Sequence, residues 1–102
     1  MLNKIYNEDC FVTMESMPIG QCDVILTSCP YNKATYSSEL CEKLLKLYCP
    51  AGGVVYDPFM GSGTTAVACK KMGLKFIGSE ISKNQCEWAE KRLQNVHAGV
   101  LV

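Results

Sequence analysis

The segment Asp57-Pro58-Phe59-Met60-Gly61-Ser62-Gly63-Thr64-Thr65 follows directly on the apolar run Val54-Val55-Tyr56 and opens a helical pattern. A strand, a glycine turn and a helix in that order form a cradle for a nucleoside ligand. Gly61 permits a tight turn, Gly63 permits close approach to the backbone, and Ala66 lets helix and strand pack closely. Glu80 closes the next apolar run, Lys75-Phe76-Ile77-Gly78-Ser79. An acid there can accept hydrogen bonds from both hydroxyls of a ribose. A P-loop is excluded, because no Gly-Lys-Ser/Thr follows the glycines. The residues leave two other readings open: a structural strand–helix turn with Glu80 solvated, and an NAD site. Against NAD stand Asp57-Pro58-Phe59 within the loop and the lack of an obvious redox partner.

A second cluster, Thr27-Ser28-Cys29-Pro30-Tyr31-Asn32, ends an earlier apolar run. It brings a hydroxyl, a backbone carbonyl and an aromatic ring to the carboxyl end of a strand, where open α/β sheets bind ligands. Such acceptors can orient an exocyclic amine while the ring stacks on a base turned out of its helix. An ordinary proline turn beside a core tyrosine is the alternative.

These groups need a scaffold, and the chain supplies four short apolar runs alternating with four helical patterns. The first run is Leu2 to Tyr6, after which Asp9 can cap a helix reaching Met17, ended by Pro18 and Gly20. The second, Cys22 to Thr27, is near-continuously apolar, as in a strand covered on both faces. Ser37 or Ser38 caps a helix with Leu40, Leu44, Leu47 and Tyr48 on one stripe. After the glycine loop a helix runs from about Thr64 to Met72, with Gly73 at its C-terminal cap. Ser82-Lys83-Asn84-Gln85 reads as a capping box for a last helix that buries Cys86, Ala89, Leu93 and Val96. Strand–helix alternation of this kind predicts an α/β fold with a mostly parallel sheet of about four strands and helices on both faces.

Composition narrows the class. The 102 residues fit one domain, residues 1–102. Ten Lys/Arg balance ten Asp/Glu, so the phosphate attraction that dominates nucleic-acid affinity is weak. The seven cysteines include no C-x-x-C pair and only one histidine accompanies them, which argues against a metal site. An odd cysteine count without a signal peptide points to reduced thiols in the cytoplasm. No apolar run approaches the ~20 residues a membrane span needs.

Taken together, Asp57 to Thr65, Ile77-Gly78-Ser79-Glu80-Ile81 and Cys86-Glu87-Trp88-Ala89-Glu90-Lys91-Arg92-Leu93 closely resemble the bacterial and phage DNA methyltransferases that modify exocyclic amines. Ser28-Cys29-Pro30-Tyr31 is similar to that family's Ser-Pro-Pro-Tyr catalytic motif, and it precedes the cofactor loop, the permuted order of the beta class. The resemblance implies a circularly permuted, doubly wound methyltransferase fold that binds S-adenosylmethionine. Cofactor contacts fall on Asp57, Pro58, Phe59, Gly61, Gly63 and Thr64, the ribose on Glu80, and the adenine side on Asp9 unless Asp9 is only a helix cap. It further implies that the target amine attacks the sulfonium methyl in line. Ser28 and the Cys29 carbonyl then accept its hydrogens, and Tyr31 stacks on the base. The Val54 strand is expected between the Val24 and Phe76 strands, with the Leu2–Tyr6 strand outside Phe76.

Two departures qualify the activity this implies. Cys29 replaces a proline and its fixed φ. Only Asn32 to Ser38 stands where relatives carry further strands and the target-recognition region. A weakly active or inactive DNA methyltransferase, acting on adenine N6 or cytosine N4, is therefore expected. The alternative is a non-catalytic cofactor-binding or oligomerising module. The shortened sheet should leave the Val24 strand bare, which predicts a homo-oligomer.

Overall fold

The computed structural model describes residues 1–27 and 38–96. In chain order they form β1 (Lys4–Tyr6), α1 (Cys10–Ser16), β2 (Val24–Ile25), α2 (Ser38–Tyr48), β3 (Val54–Asp57), α3 (Thr64–Met72), β4 (Lys75–Ser79) and α4 (Lys83–Gln94). The strands make one parallel sheet in the order β1-β4-β3-β2. This is the expected arrangement, with β3 central and β1 outside β4.

That order dictates which face each helix covers. From β2 through β3 to β4 the chain steps across the sheet in one direction, and from β1 to β2 it steps back across the whole sheet. Right-handed crossovers therefore put α2 and α3 on one face and α1 on the other. Packing follows this rule. Val55 and Phe76 face a core built with Cys41 and Leu45 of α2, Ala66 and Cys69 of α3, and Ala89 and Leu93 of α4. Their strand neighbours Val54, Tyr56 and Ile77 point to the opposite face, against Tyr6, Met17 and Cys22. The Tyr56 hydroxyl pairs with Ser79 Oγ at 2.7 Å and donates to the Cys10 carbonyl, which seats α1.

Local chemistry sets the ends of these elements. Asp9 accepts the Phe11 N–H at 2.8 Å and caps α1. Gly73 ends α3 in the left-handed region and returns N–H groups to the last carbonyls. Ser82 caps α4 by accepting the Gln85 N–H. The reciprocal half of the expected capping box is absent, because the Ser82 N–H donates to Glu80 Oε2 instead.

Two expectations are corrected. The stripe Leu40, Leu44, Leu47 and Tyr48 is not the buried face of α2. Cys41 and Leu45 are the buried pair, while Leu47 is 74% and Tyr48 72% exposed. Both stripes have helical spacing, and packing against α3 selects the narrower one. β2 is not covered on both faces either. Its ladder is short, and Ile25 is 64% exposed at the sheet edge.

Candidate functional site

Parallel strands bring their carboxyl ends to one edge, so the residues that follow them meet there. Register places Tyr6 beside Ser79, Asp57 beside Gly78, and Ile25 beside Tyr56. Asn7, Glu80, the Asp57–Gly63 loop and Thr27 consequently share the same rim. Ser28, Cys29, Pro30 and Tyr31 lie outside the described residues.

Glu80 organises the loop. Its Oε1 accepts the Gly61 N–H at 2.8 Å and its Oε2 accepts the Ser82 N–H at 2.9 Å. Each carboxylate oxygen keeps acceptor capacity for a further donor. Asn7 fixes the backbone beneath it, donating to the carbonyls of Glu80 and Ile81 at 2.9 and 2.8 Å. Sequence reasoning passed over Asn7, although its place before Glu8-Asp9 at a strand end was a usable signal.

The loop's own amides are largely engaged within the chain. Phe59 N–H donates to Asp57 Oδ1, Met60 N–H to the Ser79 carbonyl, and Gly63 N–H to the Met60 carbonyl. Met60 plugs the space over Gly78, where any added Cβ would sit 2.5 Å from its terminal methyl. The two loop glycines differ in their surroundings. Gly63, at φ +88°, lies against α4, and a Cβ there would fall 2.7 Å from the Ala89 Cβ. Gly63 therefore lets α4 pack close against the loop. Gly61, at φ +59°, has its Cβ direction almost open and is the glycine a ligand can approach. Around this opening Phe59 is 59% and Ile81 69% exposed, apolar surface beside an acid at a strand-end rim.

Asp57 itself is fully buried. Burial pushes its carboxyl above the ordinary aspartate range, opposed by nearby Thr65, by the Phe59 N–H and by nearby Thr27. Neither threonine hydroxyl reaches hydrogen-bonding geometry with it, and Asp57 Oδ2 and Thr65 Oγ1 are both left unpartnered. Asp57 is thus a loop-shaping group more than a ligand contact. Asp9 keeps both of its readings: it caps α1 and stands at the same rim, one turn beyond β1.

Cys41, Cys69 and Cys86 are buried in the core as small hydrophobes. Burial pushes the Cys69 thiol up to about 12 and raises Cys41 as well, so neither is a nucleophile at neutral pH. Among the described residues no group of His, Cys, Asp and Glu is placed to hold a metal ion. No helix there is long and apolar enough to cross a membrane. A recess of about 540 Å³ bounded by Asn3, Lys70, Lys75 and Leu93 lies at the opposite edge, at the amino ends of the strands. Its lysines already donate to carbonyls of Leu93 and Gly52, so it is the weaker candidate for ligand binding.

Comparison with known proteins identifies the family. A family model described as DNA methylase, of the N6/N4 type, matches residues 30–91. The Type II methyltransferase M.MjaII of Methanocaldococcus jannaschii is 46% identical over 65 residues, which are 64% of this chain and 12% of that protein. The orphan methyltransferase M.BamHII of Bacillus amyloliquefaciens is 44% identical over 62 residues, 61% of this chain and 23% of that protein. The crystal structure of the M1.HpyAVI–SAM complex superimposes with a TM-score of 0.54 at 46% identity, covering 56% of this chain and 30% of that one. The chain thus spans less than a quarter of the length of these two curated relatives.

Proposed function

Because this chain belongs to the N6/N4-type DNA methylase family, we propose that its strand-end rim binds S-adenosylmethionine and serves methyl transfer to an exocyclic amine of DNA. The observation that carries the reading is Glu80, whose carboxylate holds the Gly61 N–H with acceptor capacity in reserve, beside a glycine whose Cβ direction is almost open. A ribose diol donates two hydrogens, which is what such a carboxylate can take. Phe59 and Ile81 offer apolar surface to an adenine, with Asp9 at the same rim to accept from its amine. Asp57, Pro58 and Thr64 shape the loop. The engagement of the Phe59, Met60, Gly61 and Gly63 amides within the chain disfavours a pyrophosphate, which needs free N–H donors, and so disfavours NAD. The crystallised relative M1.HpyAVI, solved as its SAM complex, supports the same assignment.

Bound S-adenosylmethionine supplies an electrophilic sulfonium methyl. In the family's motif, Ser28 and the Cys29 carbonyl would accept hydrogens from the attacking amine, Pro30 would stiffen the turn, and Tyr31 would stack on the base. Transfer is weak in this chain, because it lacks the long segment between the two motifs that would grip DNA. The bare β2 edge and the outer face of α2, with Ile25, Leu47 and Tyr48 exposed, are covered by a second copy of the chain. The thiols stay reduced in a cytoplasmic setting. A cofactor-binding module without catalysis is the second reading, favoured by that same missing segment.

Incubation with methyl-labelled cofactor and mixed duplex DNA tests the activity. Slow incorporation that Tyr31→Ala abolishes is the expected result. Fast sequence-specific incorporation would overturn the weak-enzyme reading, and none at all would leave the binding module.

A further inference from the structure

Arg92, on α4, reaches back across the fold to the glycine loop. Its Nη1 donates to the Ser62 carbonyl at 2.9 Å, to Ser62 Oγ at 3.1 Å and to Thr64 Oγ1 at 3.2 Å. Two hydrogens on one nitrogen thus serve three acceptors, the shared geometry common at helix ends. The loop has few other restraints at this point. Gly63 stands at the N-cap of α3 with no side-chain cap, and both Gly61 and Gly63 occupy the left-handed region.

The Ser62–Gly63 peptide plane turns on ψ of Ser62 and φ of Gly63, and because Gly63 is a glycine in the left-handed region, rotation of that plane is an easy distortion of the loop. Arg92 holds the carbonyl side of the plane, while the Gly63 N–H on the other side donates to the Met60 carbonyl at 3.1 Å. One turn earlier on α4, Ala89 supports Gly63 from below. Glu80 meanwhile holds the Gly61 N–H. The loop is thus gripped at successive residues by an acid from the end of β4 and a base from α4.

We propose that Arg92 is a positioning residue for the cofactor loop: it locks the Ser62–Gly63 peptide so that Gly61 presents its open side to the nucleoside. This rests on the cofactor reading above for its ligand, but the locking itself does not. The planar guanidinium fixes direction as well as charge, so lysine is an incomplete substitute.

Arg92→Met and Arg92→Lys, compared with the parent chain by amide hydrogen exchange and by calorimetry with S-adenosylhomocysteine, test the proposal. In Arg92→Met the Gly61 and Gly63 amides should exchange about tenfold faster while those of β3 and β4 keep their protection. Affinity for S-adenosylhomocysteine should fall about tenfold, with Arg92→Lys in between. Exchange that rises uniformly across sheet and loop, or a loop that keeps its protection in Arg92→Met, would overturn it. If the parent chain binds no S-adenosylhomocysteine, the cofactor reading fails and the exchange comparison alone decides the locking. Should Arg92→Met not fold, Arg92→Lys carries the same two outcomes.

Discussion

Asp57 shows how a single residue couples the loop to stability. Its buried carboxyl titrates above the ordinary aspartate value, so the folded state resists ionisation. Below the unfolded value of about 3.8 the group is protonated in both states and imposes no ionic penalty. As pH rises from there to the raised folded value, the unfolded chain ionises first and stability falls; the loss persists at neutral pH. Asp57→Asn keeps an acceptor for the Phe59 N–H and offers Thr65 Oγ1 a donor. It should raise stability at pH 7 by about 1 kcal/mol and flatten the fall in stability as pH rises above the unfolded value. Urea denaturation across that range checks both effects. The two loop glycines should also separate. Gly63→Ala drives a methyl into Ala89 and should cost about 2–3 kcal/mol of stability. Gly61→Ala adds its methyl on the open side, so it should cost only about 1 kcal/mol while weakening the ligand more. Thermal melts paired with ligand titration distinguish the two.

At the scale of elements, β2 and α2 carry the consequence of the short middle. Ile25 lies bare at the edge of the sheet, and Leu47 and Tyr48 are bare on the outer side of α2. Leu47→Glu should weaken self-association without disturbing the core, because Cys41 and Leu45 make the buried contact. Light scattering over a concentration series reads this; a parent chain that stays monomeric at high concentration would count against the oligomer. The same elements mark where sequence stopped being informative. α3 and β4 were legible to their end residues, because Gly73 and the apolar run around Ile77 are local signals. The loop and Glu80 were legible as a pair for the same reason. The buried face of α2 was not, since two apolar stripes compete and only the position of α3 decides. Asn7 and Arg92 were missed because each acts on a segment far away in sequence, through contacts that no local pattern encodes.

At the scale of the molecule, the proposed cofactor rim lies at one end of a four-stranded parallel sheet. The chain's charge is balanced, so little phosphate attraction replaces the missing recognition segment. Positioning of the reacting groups can contribute roughly 7–11 kcal/mol to such a transfer, which makes base delivery the larger deficit. Cys29→Pro alone should therefore recover little methyl transfer. The proposed cofactor site draws on none of that segment, since Glu80, Gly61, Phe59 and Ile81 all belong to the described fold. Calorimetric titration of the folded chain with S-adenosylmethionine, alongside NAD and the Glu80→Ala variant, tests the central claim most directly. Saturable binding of S-adenosylmethionine in preference to NAD, weakened by about 1–3 kcal/mol in Glu80→Ala, is the predicted result. No binding at millimolar ligand, preferred binding of NAD, or indifference to Glu80→Ala would contradict it.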